Sequence, residues 1–473
     1  MTTEQASEVK PRNLTQRLTD LCVRYVERFM PDPFLFAVIL TAIVAALVAL
    51  LVSDAAPSGM LKAWYGGVWG SQNIFTFAFQ MVLILVTGYT LAEAPVVKRG
   101  IVYIAGKPRN QVQGALLCFG VSAVLSMLNW GLGLVSGALV ARQVAKRFSA
   151  THFGYLIAAA FMGFIVWTQG LSSSIALANT DANSPINVIH KMTGANVPLG
   201  LTIFQPYSWV AAIVVLLLLG VAIWRMEPAQ FLAPDPAVFD DEAHADTMST
   251  EKSTEKRTSA EWLENLWILN VLPFAAGITY FWLSGFALNI SSMVMLFTVT
   301  GALLHRTPIR FIRAFAGAAK VSGPLLLQYP LYGGIVGLLG YLPTQSGKAL
   351  QTVLAEALVA GANQYTLPFL TFIGSVVISL FVPSGGGHWA VQGPVAVDSA
   401  LALGQRSPAY LGLISMAVAV GESVANMIQP FWLLPLLAIA KLNVRQVMGF
   451  TIIAFAIGLI VSGATVLIAP HVI

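Results

Sequence analysis

Long apolar blocks alternate with short polar connections along this chain, and block length is the first clue to what they are. A helix that crosses a bilayer needs about 20 mostly apolar residues at roughly 1.5 Å per residue. Blocks of that kind lie at 33–52, 74–94, 152–180, 202–224, 263–283, 286–304, 323–342, 408–440 and 447–469. They predict nine spans. Two further stretches, 111–140 and 366–403, are apolar but interrupted, the first at Asn129-Trp130-Gly131-Leu132-Gly133 and the second at Pro383-Ser384-Gly385-Gly386-Gly387-His388. Backbone that leaves the helix at membrane depth must be buried in protein or line a polar cavity, because lipid offers its peptide groups no partner. The helix is expected to be lost at the glycine triplet, and such a break points to a binding site.

Composition and charge turn this pattern into a topology. Hydrophobic residues make up 57% of the 473 and charged residues 10%, against about 25% charged in soluble domains, so the chain reads as a polytopic membrane protein. The net charge of +5 belongs largely to loop Lys and Arg, which orient the spans and give no sign of nucleic-acid binding. Arg12, Arg17, Arg24 and Arg28 place the N-terminal segment, 1–30, in the cytoplasm, and no short apolar core or cleavage site argues for its removal. Lys98, Arg99, Lys107 and Arg109 precede the stretch 111–140, and Arg142, Lys146 and Arg147 follow it. Both ends are basic, so it enters and leaves on one side, as a re-entrant hairpin does; two short complete spans are the rival reading. His305, Arg306, Arg310, Arg313 and Lys320 return the chain to the cytoplasm later, so the hairpin 366–403 opens from the other face and the C-terminus lies outside. The polar segment 225–262 reads as a cytoplasmic linker. Cys22 and Cys118 have no metal-ligand spacing and read as structural.

An offset of 253 lays Ser122-Ala-Val-Leu-Ser126 on Ser375-Val-Val-Ile-Ser379 and Gly133 on Gly386. The expected fold is therefore an all-α polytopic membrane protein with an inverted structural repeat, about nine transmembrane helices, two re-entrant hairpins and two broken helices. The first repeat is 31–224, a linking helix occupies 263–283, and the second repeat is 284–473. The broken helices are 152–180, interrupted at Thr168-Gln169-Gly170-Leu171-Ser172-Ser173-Ser174, and 408–440, interrupted between Gly421 and Pro430. The same offset pairs Gln169 with Glu422 and Ser173 with Asn426. Pro430 removes a backbone donor and breaks the helix where Glu422, Asn426 and Gln429 share a face. Hairpin tips that meet broken helices near the midplane offer free amides to an anion and free carbonyls to a cation.

The strings 129–147 (NWGLGLVSGALVARQVAKR), 382–394 (VPSGGGHWAVQGP) and 426–437 (NMIQPFWLLPLL) resemble signature segments of the short-chain fatty acid transporter family. The resemblance runs over nearly the whole chain and implies a secondary carrier of butyrate-like or acetoacetate-like monocarboxylates in a bacterial inner membrane. This chain departs from the family's usual residues at His388, Glu422, Val424 and Ala425, which leaves substrate choice and coupling ion open.

A short carboxylate joins one negative charge to a small apolar tail, so its pocket needs amide and hydroxyl donors beside apolar walls. Candidate substrate-binding residues are Asn129, Trp130, Gly131, Gly133, Gln169, Ser172, Ser173, Ser384, Gly385, Gly386, Gly387, His388, Asn426 and Gln429, with Trp389 as a second wall; tight packing is the competing role for the glycines and tryptophans. Glu422, an ionisable residue inside a span, and His388 are the coupling candidates, Asp398 a weaker one. Glu93 reads as an interface charge, and His190 and Lys191 as solvated loop residues. No cofactor is expected beyond a coupling H+ or Na+, the latter near Asn129, Ser173 and Asn426. The expected partners are the carboxylate substrate and the lipid bilayer, with a homodimer left open. A passive anion channel and an intramembrane enzyme are the alternatives, but no GxSxG or HExxH signature supports an enzyme and no P-loop supports ATP-driven transport.

Overall fold

A computed structural model describes residues 33–71, 73–148, 151–228, 231–239, 258–343, 347–380 and 382–473. The N-terminal segment 1–30, with Cys22, and residues 240–257 of the expected linker lie outside the described residues. The described chain is helical almost throughout; it holds no strand, only an isolated parallel bridge between His152 and Leu232. Helix is the economical solution for an apolar chain in lipid, since each segment satisfies its own backbone.

Every expected span contains helix. The uninterrupted ones are Pro33–Leu51, Phe75–Ala92, Pro206–Arg225, Ile268–Leu283, Ile290–Leu304, Gly323–Leu339 and Arg445–Ile468. The two expected broken spans are broken. The first runs as Phe153–Gly163, tightens to a 3-10 helix over Phe164–Gln169, and resumes as Ser174–Ala178; the second runs as Pro408–Ala425, then Phe431–Leu433 and Leu434–Ala440. Both interrupted stretches fold as pairs of packed helices, Gln111–Leu128 with Trp130–Ala145 and Leu367–Ser379 with Gly385–Ala402. Among the described residues seven helices are long and apolar enough to cross a membrane alone, and Gln111–Leu128 is one of them.

Four further helices of ten residues or more escaped the sequence reading: Pro57–Val68, Pro95–Ala105, Pro308–Ala319 and Leu350–Val359. Each is too short to span, and two carry charge that reads as loop, Lys98 and Arg99 in one and Arg310 and Arg313 in another. Proline at the first turn starts three of them, where its missing amide costs nothing. With these included, the helix order of 33–225 recurs in 290–468. So does the packing. Phe75–Ala92 lies on Trp130–Ala145 as Gly323–Leu339 lies on Gly385–Ala402; Gln111–Leu128 lies on Phe153–Gly163 as Leu367–Ser379 lies on Pro408–Ala425. The halves also exchange contacts, with Pro33–Leu51 on Gly323–Leu339 and Ile290–Leu304 on Phe75–Ala92.

Burial separates centre from rim. The most apolar 18-residue windows of the broken spans are 94% and 89% buried, whereas that of Ser259–Leu283 is 11% buried. The linking helix therefore runs along the outside, with Leu272, Tyr280 and Trp282 exposed and one polar tie, Asn270 Nδ2 donating to the Ala302 carbonyl at 2.7 Å.

Candidate functional site

The first hairpin turns on one residue. Asn129 adopts extended backbone (φ −153°, ψ 120°) between its two helices, and its amide donates to the Leu125 carbonyl at 2.8 Å, completing the first arm. Its Oδ1 accepts the Leu132 amide at 2.9 Å, starting the second, and its Nδ2 donates to the Ile84 carbonyl at 3.2 Å. Asparagine is suited to this N-cap position because its short side chain reaches the orphan amide of the first turn. Gly131 and Gly133 lie inside the second helix. A Cβ on Gly133 would strike the backbone of Ser126, and one on Gly131 would sit 3.1 Å from the Leu85 carbonyl oxygen. The Gly133 amide is already used, donating to the Asn129 carbonyl at 3.0 Å. These glycines permit close packing of the tip.

The second hairpin corrects the expectation that the triplet itself breaks the helix. The helix is interrupted between Ser379 and Gly385, and Gly385, Gly386 and Gly387 form the first turn of Gly385–Ala402. Pro383 explains the shift: it fixes φ, lacks an amide, and biases its predecessor away from helix. Ser384, extended at φ −155° and ψ 115°, occupies the N-cap but caps nothing; its Oγ lies 2.6 Å from Tyr329 Oη. The first helical bond runs from the His388 amide to the Ser384 carbonyl at 2.6 Å. The three glycine amides before it have no acceptor within the helix. The caps, 129 and 384, are 255 apart rather than 253, so Gly131 corresponds to Gly386 and Gly133 to His388.

Close to the triplet sits Glu422, the fully buried acid among the candidates. His388 Nδ1 lies 3.6 Å from Glu422 Oε2, and both side chains are fully buried. His388 Nε2 lies 2.7 Å from Gln392 Oε1, while Gln392 Nε2 donates to the Thr371 carbonyl at 2.9 Å. The amide orientation makes Gln392 Oε1 an acceptor, so His388 Nε2 donates to it and Nδ1 faces Glu422. At 3.6 Å the pair is longer than a hydrogen bond, and neither Glu422 oxygen has a hydrogen-bond partner among the described residues.

Aromatic rings complete the surroundings, and sequence reasoning missed most of them. A Cβ on Gly385 would fall 2.6 Å from Trp167 Cη2, one on Gly386 within the ring of Phe77, and one on Gly387 2.9 Å from Tyr332 Cδ2. Trp167 stacks on Phe164 at 5.6 Å and donates from Nε1 to Asn426 Oδ1 at 3.2 Å. Phe164 reaches Trp432 at 6.3 Å, and Trp432 meets Trp130 edge to face at 4.6 Å. A line of rings thus joins the two hairpin tips through both broken spans. The signals existed: Trp167 precedes Thr168 and Gln169, and Trp432 lies within the string 426–437.

The remaining candidates divide. Asn426 Nδ2, Gln429 Oε1 and Ser172 Oγ are buried near the breaks without hydrogen-bond partners among the described residues. Ser173 caps the short helix Ser174–Ala178, accepting the Ala176 amide at 3.4 Å. Gln169 turns away, its Nε2 donating to the Ser208 carbonyl at 3.1 Å. Trp389 is fully buried within its own hairpin, where Gly393 faces its indole. Asp398 is only half-buried. Glu93 pairs with Lys98 at 2.6 Å, both partly exposed, as an interface charge would. The oxygens of Asn129, Ser173 and Asn426 each accept an N–H, from Leu132, Ala176 and Trp167 respectively.

A family model described as short chain fatty acid transporter matches residues 14–469. A protein of Escherichia coli K12 is 37% identical over 446 residues, covering 93% of this chain and 96% of its own. One from Haemophilus influenzae Rd is 33% identical over 455 residues, covering 93% and 97%. Both are provisionally named short-chain fatty acid transporters. The YdaH transporter of Alcanivorax borkumensis, whose crystal structure is described as having an unusual topology, superposes with a TM-score of 0.54 at 18% identity, covering 94% of this chain and 99% of its own. That likeness concerns the fold alone. Family and relatives are transporters rather than enzymes, and the apolar helices make this a multi-pass membrane protein. This chain belongs to the short-chain fatty acid transporter family.

Proposed function

We propose that the protein is a secondary carrier that takes up short monocarboxylates of the butyrate or acetoacetate kind across a bacterial inner membrane, by alternating access and driven by a proton gradient. The observation that carries this reading is the buried His388–Glu422 pair set close to three uncommitted glycine amides. The amides and the positive end of the helix Gly385–Ala402 suit a carboxylate. Gly385, Gly386 and Gly387 take its oxygens, and the rings beside them take its tail. The carboxylate brings a negative charge into a site that already holds Glu422, and one added proton on the His388–Glu422 pair offsets it. Substrate and proton then cross together.

The matching helix order and packing of 33–225 and 290–468 support an inverted repeat, with repeats 31–224 and 284–473 joined by the helix 263–283. In this reading the N-terminal segment and the linker 225–262 are cytoplasmic and the C-terminus is external. The hairpin tips are reached from opposite faces, a prediction tested by placing cysteine at Trp130 or Ser384 in a cysteine-free background. Labelling of both positions by a membrane-impermeant thiol reagent from one face only, in every state, contradicts the inversion.

The deciding experiment is uptake of radiolabelled butyrate into proteoliposomes with a proton or a sodium gradient imposed separately. Saturable accumulation under the proton gradient alone is expected. Accumulation under sodium alone removes the proton-coupling role, flux without accumulation identifies a channel, and chemical conversion identifies an enzyme.

A further inference from the structure

We infer that Phe77 is the gauge that limits substrate chain length, a reading that rests on the carboxylate site at the glycine triplet. Phe77 sits in the first turn of the span Phe75–Ala92, outside both hairpins and both broken spans, yet its side chain is fully buried against the triplet. It occupies the space that any side chain on Gly386 would need.

Its position is fixed from the far side by a second ring. Phe77 meets Tyr329 edge to face at 5.6 Å, and Tyr329 holds Ser384, the cap of the triplet helix, through the 2.6 Å hydroxyl contact. Tyr329 in turn meets Tyr332 at 5.9 Å, and Tyr332 covers Gly387. On the other flank Trp167 covers Gly385, held by its stack on Phe164 and its bond to Asn426. Three rings from three elements therefore cover three consecutive glycines. Trp167 and Tyr332 each belong to a further contact network: Trp167 is bonded to Asn426, and the Tyr332 hydroxyl donates to Gln328 Oε1 at 3.1 Å. Phe77 has no polar atom and no such tie.

A carboxylate docked on the glycine amides must direct its alkyl tail toward these rings. A tail of a few carbons is accommodated by small displacement of the untied ring, and each further methylene must push Phe77 against Tyr329. Interiors packed at crystal-like density resist such insertion. Discrimination of one methylene in an apolar pocket amounts to roughly 10-fold or more. Shortening residue 77 should relax that penalty for longer acids while leaving the amide donors and the His388–Glu422 pair in place.

The test compares initial uptake of butyrate and hexanoate in proteoliposomes containing the wild-type protein, Phe77→Ala, Phe77→Leu, and Phe79→Ala as a control on the same helix, where Phe79 is exposed. Phe77→Ala is expected to raise the hexanoate-to-butyrate ratio by about tenfold through a lower KM for hexanoate, Phe77→Leu by less, and Phe79→Ala not at all. If Phe77→Ala does not assemble, Phe77→Leu decides by the same ratio. Equal changes for both acids in the Phe77 variants, or an equal ratio shift in Phe79→Ala, overturn the gauge. Wild-type protein that takes up neither acid overturns the carrier reading itself, which separates that failure from failure of the gauge.

Discussion

The two hairpin tips are built alike and finished differently. Each begins its second helix with an extended cap residue and a glycine-containing first turn, and each packs against a broken span. At the first tip Asn129 spends both ends of its side chain on backbone, to Leu132 and Ile84, while the Gly133 amide makes the first helical bond just as the His388 amide does at the second. At the second, Ser384 gives its hydroxyl to Tyr329 and leaves three amides unclaimed, and a histidine follows where the first tip has Gly133. The first tip leaves two first-turn amides without an acceptor and the second leaves three, on glycines with no side chain to cover them and beside a buried His388–Glu422 pair. The difference argues that anion recognition is concentrated at the second tip, and that the first supplies geometry and one aromatic wall, Trp130.

The largest effect that bears on this contrast is expected from Glu422→Gln, because the first tip, 129–133, holds no ionisable residue to replace it. Gradient-driven accumulation of butyrate should be abolished, while exchange of labelled for unlabelled substrate persists. Undiminished accumulation would remove Glu422 from coupling and with it the main asymmetry between the tips. Next in size is Gly386→Ala, expected to lower uptake by about tenfold because overpacking costs ~1–3 kcal/mol. Its new methyl meets the ring of Phe77, a side chain that can be shortened, so adding Phe77→Ala should restore uptake. Gly133→Ala meets the backbone of Ser126 as well as its Oγ, so trimming that side chain leaves the backbone clash in place. Loss of assembled protein, without rescue by a smaller neighbouring side chain, is the outcome expected there. Rescue at both tips, or at neither, would erase the distinction.

The broken spans and the two hairpins were legible in the sequence because clustered proline, glycine and polar residues interrupt a helix, and at membrane depth an interruption needs protein or a polar cavity around it. The short helices were not, since Pro57–Val68 and Pro308–Ala319 lack the length by which spans are recognised. The triplet illustrates a subtler limit. Three glycines look like the break itself, but Pro383 ends the helix upstream and the glycines tolerate helical φ as readily as any other, so they restart it. The pairing of His388 with Glu422 required tertiary structure, as 34 residues separate them. Two of the rings were missed for a physical reason too: Phe77 and Tyr332 lie in spans where an aromatic residue carries no periodic or polar signature, whereas Trp167 borders the polar break at Thr168. Only the glycines facing them give their role away.

The smallest effects, and the sharpest comparison, come from the caps. Asn129→Ala removes a helix cap, which costs about 1 kcal/mol of stability, and the carrier should melt at lower temperature with KM for butyrate unchanged. Ser384→Ala removes no cap, since Ser384 Oγ bonds Tyr329 and no backbone amide. A buried hydrogen bond of this kind contributes ~0.5–1.5 kcal/mol net. Its loss frees the triplet helix from Tyr329, so KM should rise a few-fold alongside a fall in melting temperature comparable to that of Asn129→Ala. Tyr329→Phe should match Ser384→Ala, and the double variant should be no worse than either alone, because both substitutions break one contact. If Asn129→Ala raises KM as much as Ser384→Ala does, the first tip binds substrate after all, and recognition is shared between two tips that only look different at rest.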